Sequence, residues 1–296
     1  MTRIGVVSRY TDRSRAGYPL GLALQRLGAT YVPIDVRDVT AAVDGPGPPR
    51  VRIGEPDLDE FKLDGLLWRI SENDLYRFIE AQRLLAGRLP MINPLPCHEI
   101  CADKWSTSVA LAAAGVPIVP TTLLSPGNPV PAFPGVATVI KPVVGARGRG
   151  LRIASARSVP PIDEVHVAQP QIGGAVTDQV RALVCGRDQV LAAYRVPQLT
   201  RPDGLPVNNL EAGGTPLAAA AEPVRDLALA AARHLGGVLL GVDLVRWNGE
   251  WAVLEVNSSP GMSGVAAVSD VDAYELAARA VLDGIESAVA SRGGPP

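Results

Sequence analysis

The sequence runs to 296 residues, about twice a typical domain, which leaves room for two or three packed units with ample core. Apolar residues at 47% and charged residues at 20% exclude a disordered or low-complexity chain. A net charge of −2, with pI near 6.0 and no long run of like charge, argues against an electrostatic binder of nucleic acid or membrane.

The N-terminus is too weakly apolar for a signal peptide, and Cys97, Cys101 and Cys185 make an odd count, so a reduced, cytoplasmic protein is expected. Lys and Arg total 28, yet only Lys62, Lys104 and Lys141 are Lys. In a chain so biased toward Arg, a retained Lys needs a reason, such as a compact charge on a flexible stem.

In chain order, residues 3–8 (RIGVVS) are a short apolar strand, Leu20, Leu24 and Leu27 belong to an amphipathic segment, and 29–35 and 64–70 are further strands. GPGPP (45–49) is a loop. Residues 73–88 carry a helical stripe (Leu75, Phe78, Ile79, Leu84, Leu85) that Asn73 or Asp74 can cap, and 90–93 return as a strand. This alternation predicts a small parallel sheet, which NPLP (93–96) ends. Asp103 caps a helix from Lys104 to Ala114, closed by Gly115. Two strands joined by a glycine-rich turn follow in 137–155, and another strand pair in 180–196. Pro223 and Gly236 bracket a helix with Val224, Leu227, Ala228, Ala231 and Leu235 on one face. A hairpin over 239–257 precedes a C-terminal helix around Tyr274 to Ile285, and the final SRGGPP is a loose tail.

Three features carry chemistry. Gly145, Gly148 and Gly150 lie between two apolar strands with Lys141 just upstream. The spacing is neither a Walker loop nor a dinucleotide fingerprint. Glycines there let backbone amides approach phosphates, although an ordinary hairpin turn accounts for them equally well. Arg147, Arg149 and Arg152 resemble a fragment of an RNA-binding RGG segment but lack basic surroundings. Second, Glu255 and Asn257 are two apart on a strand and share a face. Asp243 joins them only if the hairpin loop has an odd length, because a two-residue Asn248–Gly249 turn pairs 243 with 254. A three-residue loop, 248–250, is therefore expected. The resulting carboxylate–carboxylate–amide cluster suits Mg²⁺ bridging phosphates, and the apolar neighbours Leu244, Val245, Val253, Leu254 and Val256 disfavour a merely solvated face. Third, Lys104 and Lys141 stand beside a helix start and the glycine turn, where each can neutralise phosphate charge.

Weaker candidates are Cys97, His98 and Cys101, which lack the fourth ligand zinc wants, and His234 near a helix end, where a cation is structurally favourable. His166 falls in a strand. Arg69 ends a strand, where sheet proteins bind ligands, and is either a substrate contact or half of an ion pair.

The order DK (103–104), VIKP (139–142) with GARGRG (145–150), VR (180–181), NNLEAGG (208–214), GVD (241–243) and LEVNSSPG (254–261) resembles the ATP-grasp ligases, in particular the branch containing RimK, LysX and MptN, over about residues 90–285. The resemblance implies an α+β ATP-grasp fold behind a Rossmann-like α/β domain, divided at 1–95, 96–170 and 171–296. It implies that Lys104, Lys141, Gly145, Gly148 and Gly150 meet ATP phosphates, that Gln169, Gln171 and Ile172 form the adenine hinge, and that Asp243, Glu255 and Asn257 hold two Mg²⁺, with Mn²⁺ as a substitute. Pro170 cannot donate in that hinge, so a backbone amide such as Ile172 must. ARSVPPIDE (156–164) is too short for the family's usual helix. The Asn-rich stretch offers Asn208, Asn209 and Glu211 without the family's Arg, leaving Arg181 as the carboxylate clamp. A substrate less acidic than glutamate, or one presenting an amine to Glu211, would match. The activity implied is ADP-forming ligation of an amino acid to a carboxylate, free or on a peptide or carrier protein, by a cytoplasmic homo-oligomer, with Lys141 and Arg181 catalytic. An ATP-grasp kinase and a non-catalytic nucleotide-binding partner are the alternatives.

Overall fold

The structure is a computed structural model and describes residues 1–9, 17–69, 75–145, 148–154, 160–172, 179–195, 198–200, 206–208, 217–218 and 222–292. The proposed caps Asn73 and Asp74, and the site candidates Asn209 and Glu211, lie outside them.

The first part comprises β1 (Arg3–Ser8), α1 (Gly17–Arg26), β2 (Thr30–Asp35), the hairpin β3 (Val39–Ala42) and β4 (Arg50–Ile53), a 3₁₀ turn Leu58–Phe61, β5 (Gly65–Arg69), α2 (Leu75–Leu85) and β6 (Met91–Ile92). Four strands form a parallel sheet in the order β2-β1-β5-β6. Because β1 is flanked by β2 and β5, the chain reverses direction across the sheet there. Ser8 and Arg69 pair at the carboxyl ends of the two strands at that switch point. The β3–β4 hairpin was not legible in the sequence; it flanks the GPGPP loop and buries only Val39 and Val51 fully.

Next come α3 (Leu95–Ala102), α4 (Lys104–Ala113), β7 (Thr122–Leu124), β8 (Thr138–Pro142), β9 (Arg152–Ala154) and β10 (His166–Pro170). Asp103 caps α4 as expected, its side chain accepting from Ser106 N at 2.7 Å. NPLP opens α3 directly instead of ending in a linker, since proline is compatible with a first helical turn. The strands make an antiparallel sheet, β7-β10-β8-β9. Residues 160–164 contain no helix.

The last part holds β11 (Val180–Cys185), β12 (Gln189–Arg195), β13 (Gln198–Thr200), β14 (Pro206–Asn208), β15 (Leu217–Ala218), α5 (Glu222–Leu235), β16 (Leu239–Trp247), β17 (Glu250–Asn257), α6 (Ser263–Val268) and α7 (Ala273–Arg292). Its main sheet runs β15-β12-β11-β16-β17, antiparallel throughout. Val224, Ala228, Ala231 and Leu235 of α5 bury against Val180, Ala182, Val242, Leu244, Val253 and Val256. Residues 117–119 run beside β17, with Val253 N donating to Pro117 O at 2.8 Å and Val119 N to Val253 O at 3.0 Å. That seam ties the second sheet to the third.

The C-terminal helix is longer than the expected end near Ile285. It continues to Arg292, where Ser291 Oγ bonds back to Ser287 O and Ala288 O at 3.0 Å. Two residues assigned to the tail are thus helical. The helix packs against the first sheet: Ala277, Val281 and Ile285 share one core with Ile4, Val6 and Leu67.

Candidate active site

The hairpin β16–β17 decides where the acidic residues point. The expected three-residue loop is not what forms. Trp247 pairs with Glu250 across a two-residue turn, Asn248–Gly249, with φ of 51° and 87°. Those positive values are what a tight twisted hairpin requires, and an Asn-Gly pair adopts them readily. The expected juxtaposition nevertheless occurs, because a β-bulge intervenes. Leu244 pairs with Val253 but Asp243 pairs with Glu255, so Leu254 is the extra residue. The bulge lets Val253 and Val256 both face the α5 core while Glu255 and Asn257 face the other way beside Asp243. Leu254 itself packs against the small cluster of Val119, Val245 and Ala252.

Asp243, Glu255 and Asn257 therefore share one face of the sheet. Arg181, which pairs with Asp243 in the register, adds a guanidinium there. Its Nε and Nη2 donate to the two carboxylate oxygens of Asp243 at 2.6 and 2.5 Å. The Asp243 charge is thus balanced, although the residue is only 4% exposed. The three oxygen-bearing side chains fit a hard divalent cation. Among the described residues Asn257 Nδ2 is buried without a hydrogen-bond partner, a donor that a ligand oxygen would satisfy.

Lys141, on β8 of the second sheet, is within electrostatic reach of this face. Its Nζ donates to Gln169 Oε1 at 2.7 Å, and Gln169 Nε2 donates to Thr121 Oγ1 at 3.0 Å. Burial holds the Lys141 ammonium below its usual range; Lys104 adds to the effect, while Glu255 and Asp243 oppose it. Lys104, Glu255 and Asp243 are therefore all within electrostatic reach of Lys141. Lys104 Nζ donates to Gly145 O at 2.5 Å, fastening the helix start to the glycine turn. Gly148 and Gly150 have φ of 66° and 69°, and a Cβ on Gly150 would lie 2.8 Å from Pro142 Cγ. The turn thus needs glycine for both conformation and space.

At the predicted hinge, the buried Gln169 side chain is turned toward Lys141, and the Gln171 amide donates to Ala137 O at 2.7 Å. Among the described residues nothing accepts from the Ile172 amide. Asn208 lies on β14, in a separate two-stranded sheet with β13.

Arg69 is 9% exposed, and its Nη2 donates to Pro260 O while Nε and Nη1 are buried without partners. No acidic partner for it is present among the described residues. Cys97 and Cys101 are free thiols, and no group of three His, Cys, Asp or Glu side chains converges on a metal position among the described residues. His98 turns instead to Ser258 Oγ, 2.8 Å from Nδ1, and stacks edge-on against Phe78 at 4.9 Å. His166 bridges Glu164 O and Arg152, each at 2.8 Å, a structural arrangement.

Burial, seconded by the Arg69 charge, pushes the His98 imidazole down to about 3 from 6.5. A base whose folded pKa lies below its unfolded value loses stability as pH falls between the two, because only the unfolded chain takes up the proton. Urea unfolding should therefore show this residue costing about 2 kcal/mol between pH 7 and pH 5. His98→Gln should remove that increment, with stability above pH 7 governed by packing alone.

A family model described as the RimK-like ATP-grasp domain matches residues 102–281. The chain belongs to the RimK-like ATP-grasp family. A probable alpha-L-glutamate ligase of Stenotrophomonas maltophilia (strain K279a) is 34% identical to the RimK-like chain over 208 residues, 64% of this chain and 67% of the relative. One from Xanthomonas oryzae pv. oryzae (strain MAFF 311018) is 34% identical over 201 residues, 61% and 64% of the two chains. Among solved structures, the D-cycloserine synthetase DcsG matches with a TM-score of 0.72 at 20% identity, covering 96% of this chain and 99% of that one. D-alanine–D-alanine ligase from Bacillus anthracis gives 0.66 at 17% identity over 99% and 100%. PsnB, an ATP-grasp ligase complexed with a minimal precursor, gives 0.63 at 18% over 96% and 99%. These likenesses establish the α+β ATP-grasp fold, and the RimK-like chain is an ATP-dependent carboxylate–amine ligase.

The sequence reading gave no role here to Asn93 or Thr121, named His98 only as a weak metal ligand and quoted Ser258 only within LEVNSSPG, whose proximity to Asn257 was the one signal.

Proposed function

We propose that this ligase joins the amine of an amino acid to a carboxylate substrate, with ATP converted to ADP and phosphate, at the face carrying Asp243, Glu255 and Asn257. The observation that carries the reading is the Leu254 bulge, which sets both carboxylates and the amide on one side, the two carboxylates in electrostatic reach of Lys141. The carboxylate takes the γ-phosphoryl group, the amine attacks the resulting acyl phosphate at its carbonyl carbon, and phosphate leaves with the former carboxylate oxygen. No protein nucleophile is needed; positioning and charge neutralisation suffice. Lys104 and Lys141 neutralise phosphate oxygens, and the 145–150 turn shields the reacting group from water. Asp243, Glu255 and Asn257 would hold two Mg²⁺, or Mn²⁺ in their place. Metal bound there would supply positive charge to the phosphates. Arg181 is assigned, with Lys141, to the reacting groups as the clamp on the substrate carboxylate, its bonds to Asp243 orienting both side chains, and the Ile172 N–H donates to the adenine.

The amine is assigned to an amino acid because the curated relatives are named as glutamate ligases. Arg69, Asn208, Asn209 and Glu211 are assigned to the substrates. The division at 95 and 170, a carrier protein or peptide presenting one substrate, a homo-oligomeric state and a cytoplasmic location belong to the same reading. The structures of PsnB with its precursor support the peptide option. No helix among the described residues is long and apolar enough to cross a membrane. The test is ADP release from Mg-ATP with pools of carboxylic and amino acids. Release that requires both pools is the expected result. Release without an amine would make the chain a kinase, and nucleotide binding without release a non-catalytic partner.

A further inference from the structure

The Ser258–Pro260 turn leaves the strand that carries Glu255 and Asn257 and folds back over β16. A Cβ on Gly241 would stand 2.7 Å from Pro260 Cβ, so the absent side chain is what admits the turn. Three side chains hold it, Arg69 at the end of β5, Asn93 just after β6 and His98 in α3. Asn93 Nδ2 donates to Ser258 O at 2.8 Å, His98 Nδ1 meets Ser258 Oγ at 2.8 Å, and Arg69 Nη2 donates to Pro260 O. Asn93 does more than this. Its Nδ2 also donates to Leu239 O at 2.8 Å, and its Oδ1 accepts from Val238 N at 2.7 Å and Leu239 N at 2.9 Å.

That pattern is specific. Asn93 is 1% exposed, and all its bonds go to the chain at two points. One is the start of β16, the strand of Asp243; the other is the residue directly after Asn257. A single buried amide therefore ties together the ends of both strands that bear the proposed metal ligands. We infer that Asn93, assisted by Arg69, is a positioning residue for the metal-binding face, clamping the 258–260 turn so that Asp243, Glu255 and Asn257 keep their relative placement.

The clamp rests on the reading of that face as a Mg-ATP site. Groups that orient metal ligands without touching the metal are typically worth about 10–100-fold in metal affinity. A staple that served stability alone would lower the melting temperature and leave the Mg²⁺ requirement of the folded fraction unchanged. Arg69 separates the two roles. Its guanidinium is buried with two nitrogens, Nε and Nη1, unpartnered among the described residues, so Arg69→Met removes an expensive charge and should not lower the melting temperature.

The experiment is a Mg²⁺ titration of ATP binding by the full chain, without carboxylate or amine, for wild type, Asn93→Ala and Arg69→Met, each with a thermal melt. Both variants are expected to raise the half-saturating Mg²⁺ concentration about tenfold or more. Either variant, folded and half-saturating at the wild-type concentration, overturns the clamp; Arg69→Met decides it if Asn93→Ala does not fold. Wild type that fails to bind Mg-ATP at all would instead overturn the assignment of the face.

Discussion

Replacing Glu255 by Gln, or Asn257 by Ala, is expected to abolish ADP formation while leaving the chain folded. Glu255→Gln keeps the volume and removes one charge from a face where Asp243 already has Arg181 as its counterion. Asn257→Ala removes an amide whose nitrogen has no partner among the described residues, so little of the described fold depends on it. The loss therefore falls on the reaction. Removing one preorganised group from the charge developing at a transferred phosphoryl costs about 10²–10³ in kcat, and losing a metal ligand exceeds that. A coupled ADP assay with saturating substrates, accompanied by a melt, measures it. Wild-type turnover in Asn257→Ala would remove the site as assigned.

Lys141→Met should lower kcat/KM for ATP by about 10²–10³, and Lys141→Arg should not restore it. The ammonium stands where Gln169, Lys104, Glu255 and Asp243 all act on it, and a planar fork cannot reproduce a compact charge within that cage. The pH profile gives an independent check. The protonated form is the useful one and burial lowers its pKa, so wild-type kcat/KM for ATP should begin to fall at a pH below the ordinary lysine value of 10.5. Activity retained by Lys141→Met would transfer phosphate neutralisation to Lys104.

Much of the fold was legible because its signals are local. The strands at 3–8 and 180–196, the capped helix after Asp103 and the α5 stripe each follow from side-chain period or capping chemistry within one short segment. The β3–β4 hairpin and α3 were not, since neither carries a clear period: α3 has Pro96 in its first turn and buries only Cys97 and His98.

The hairpin shows the boundary most clearly. Asn248–Gly249 specifies a two-residue turn, and from that turn alone Asp243 and Glu255 belong on opposite faces. They meet because Val253 and Val256 are drawn into the same core and Leu254 into another, which a bulge accommodates and a regular strand cannot. Asn93 is a second case, a polar residue in a proline-rich stretch whose partners lie about 145 and 165 positions away.

The residue types thus determined the chemistry available to this chain: hard oxygen donors on one strand pair, two lysines kept against a bias for arginine, and glycines where backbone must approach phosphate. The alignment of those groups on a common face was decided only by tertiary packing. Side-chain chemistry is a property of each residue, whereas the direction a strand residue faces depends on the register and bulges imposed by everything packed against it.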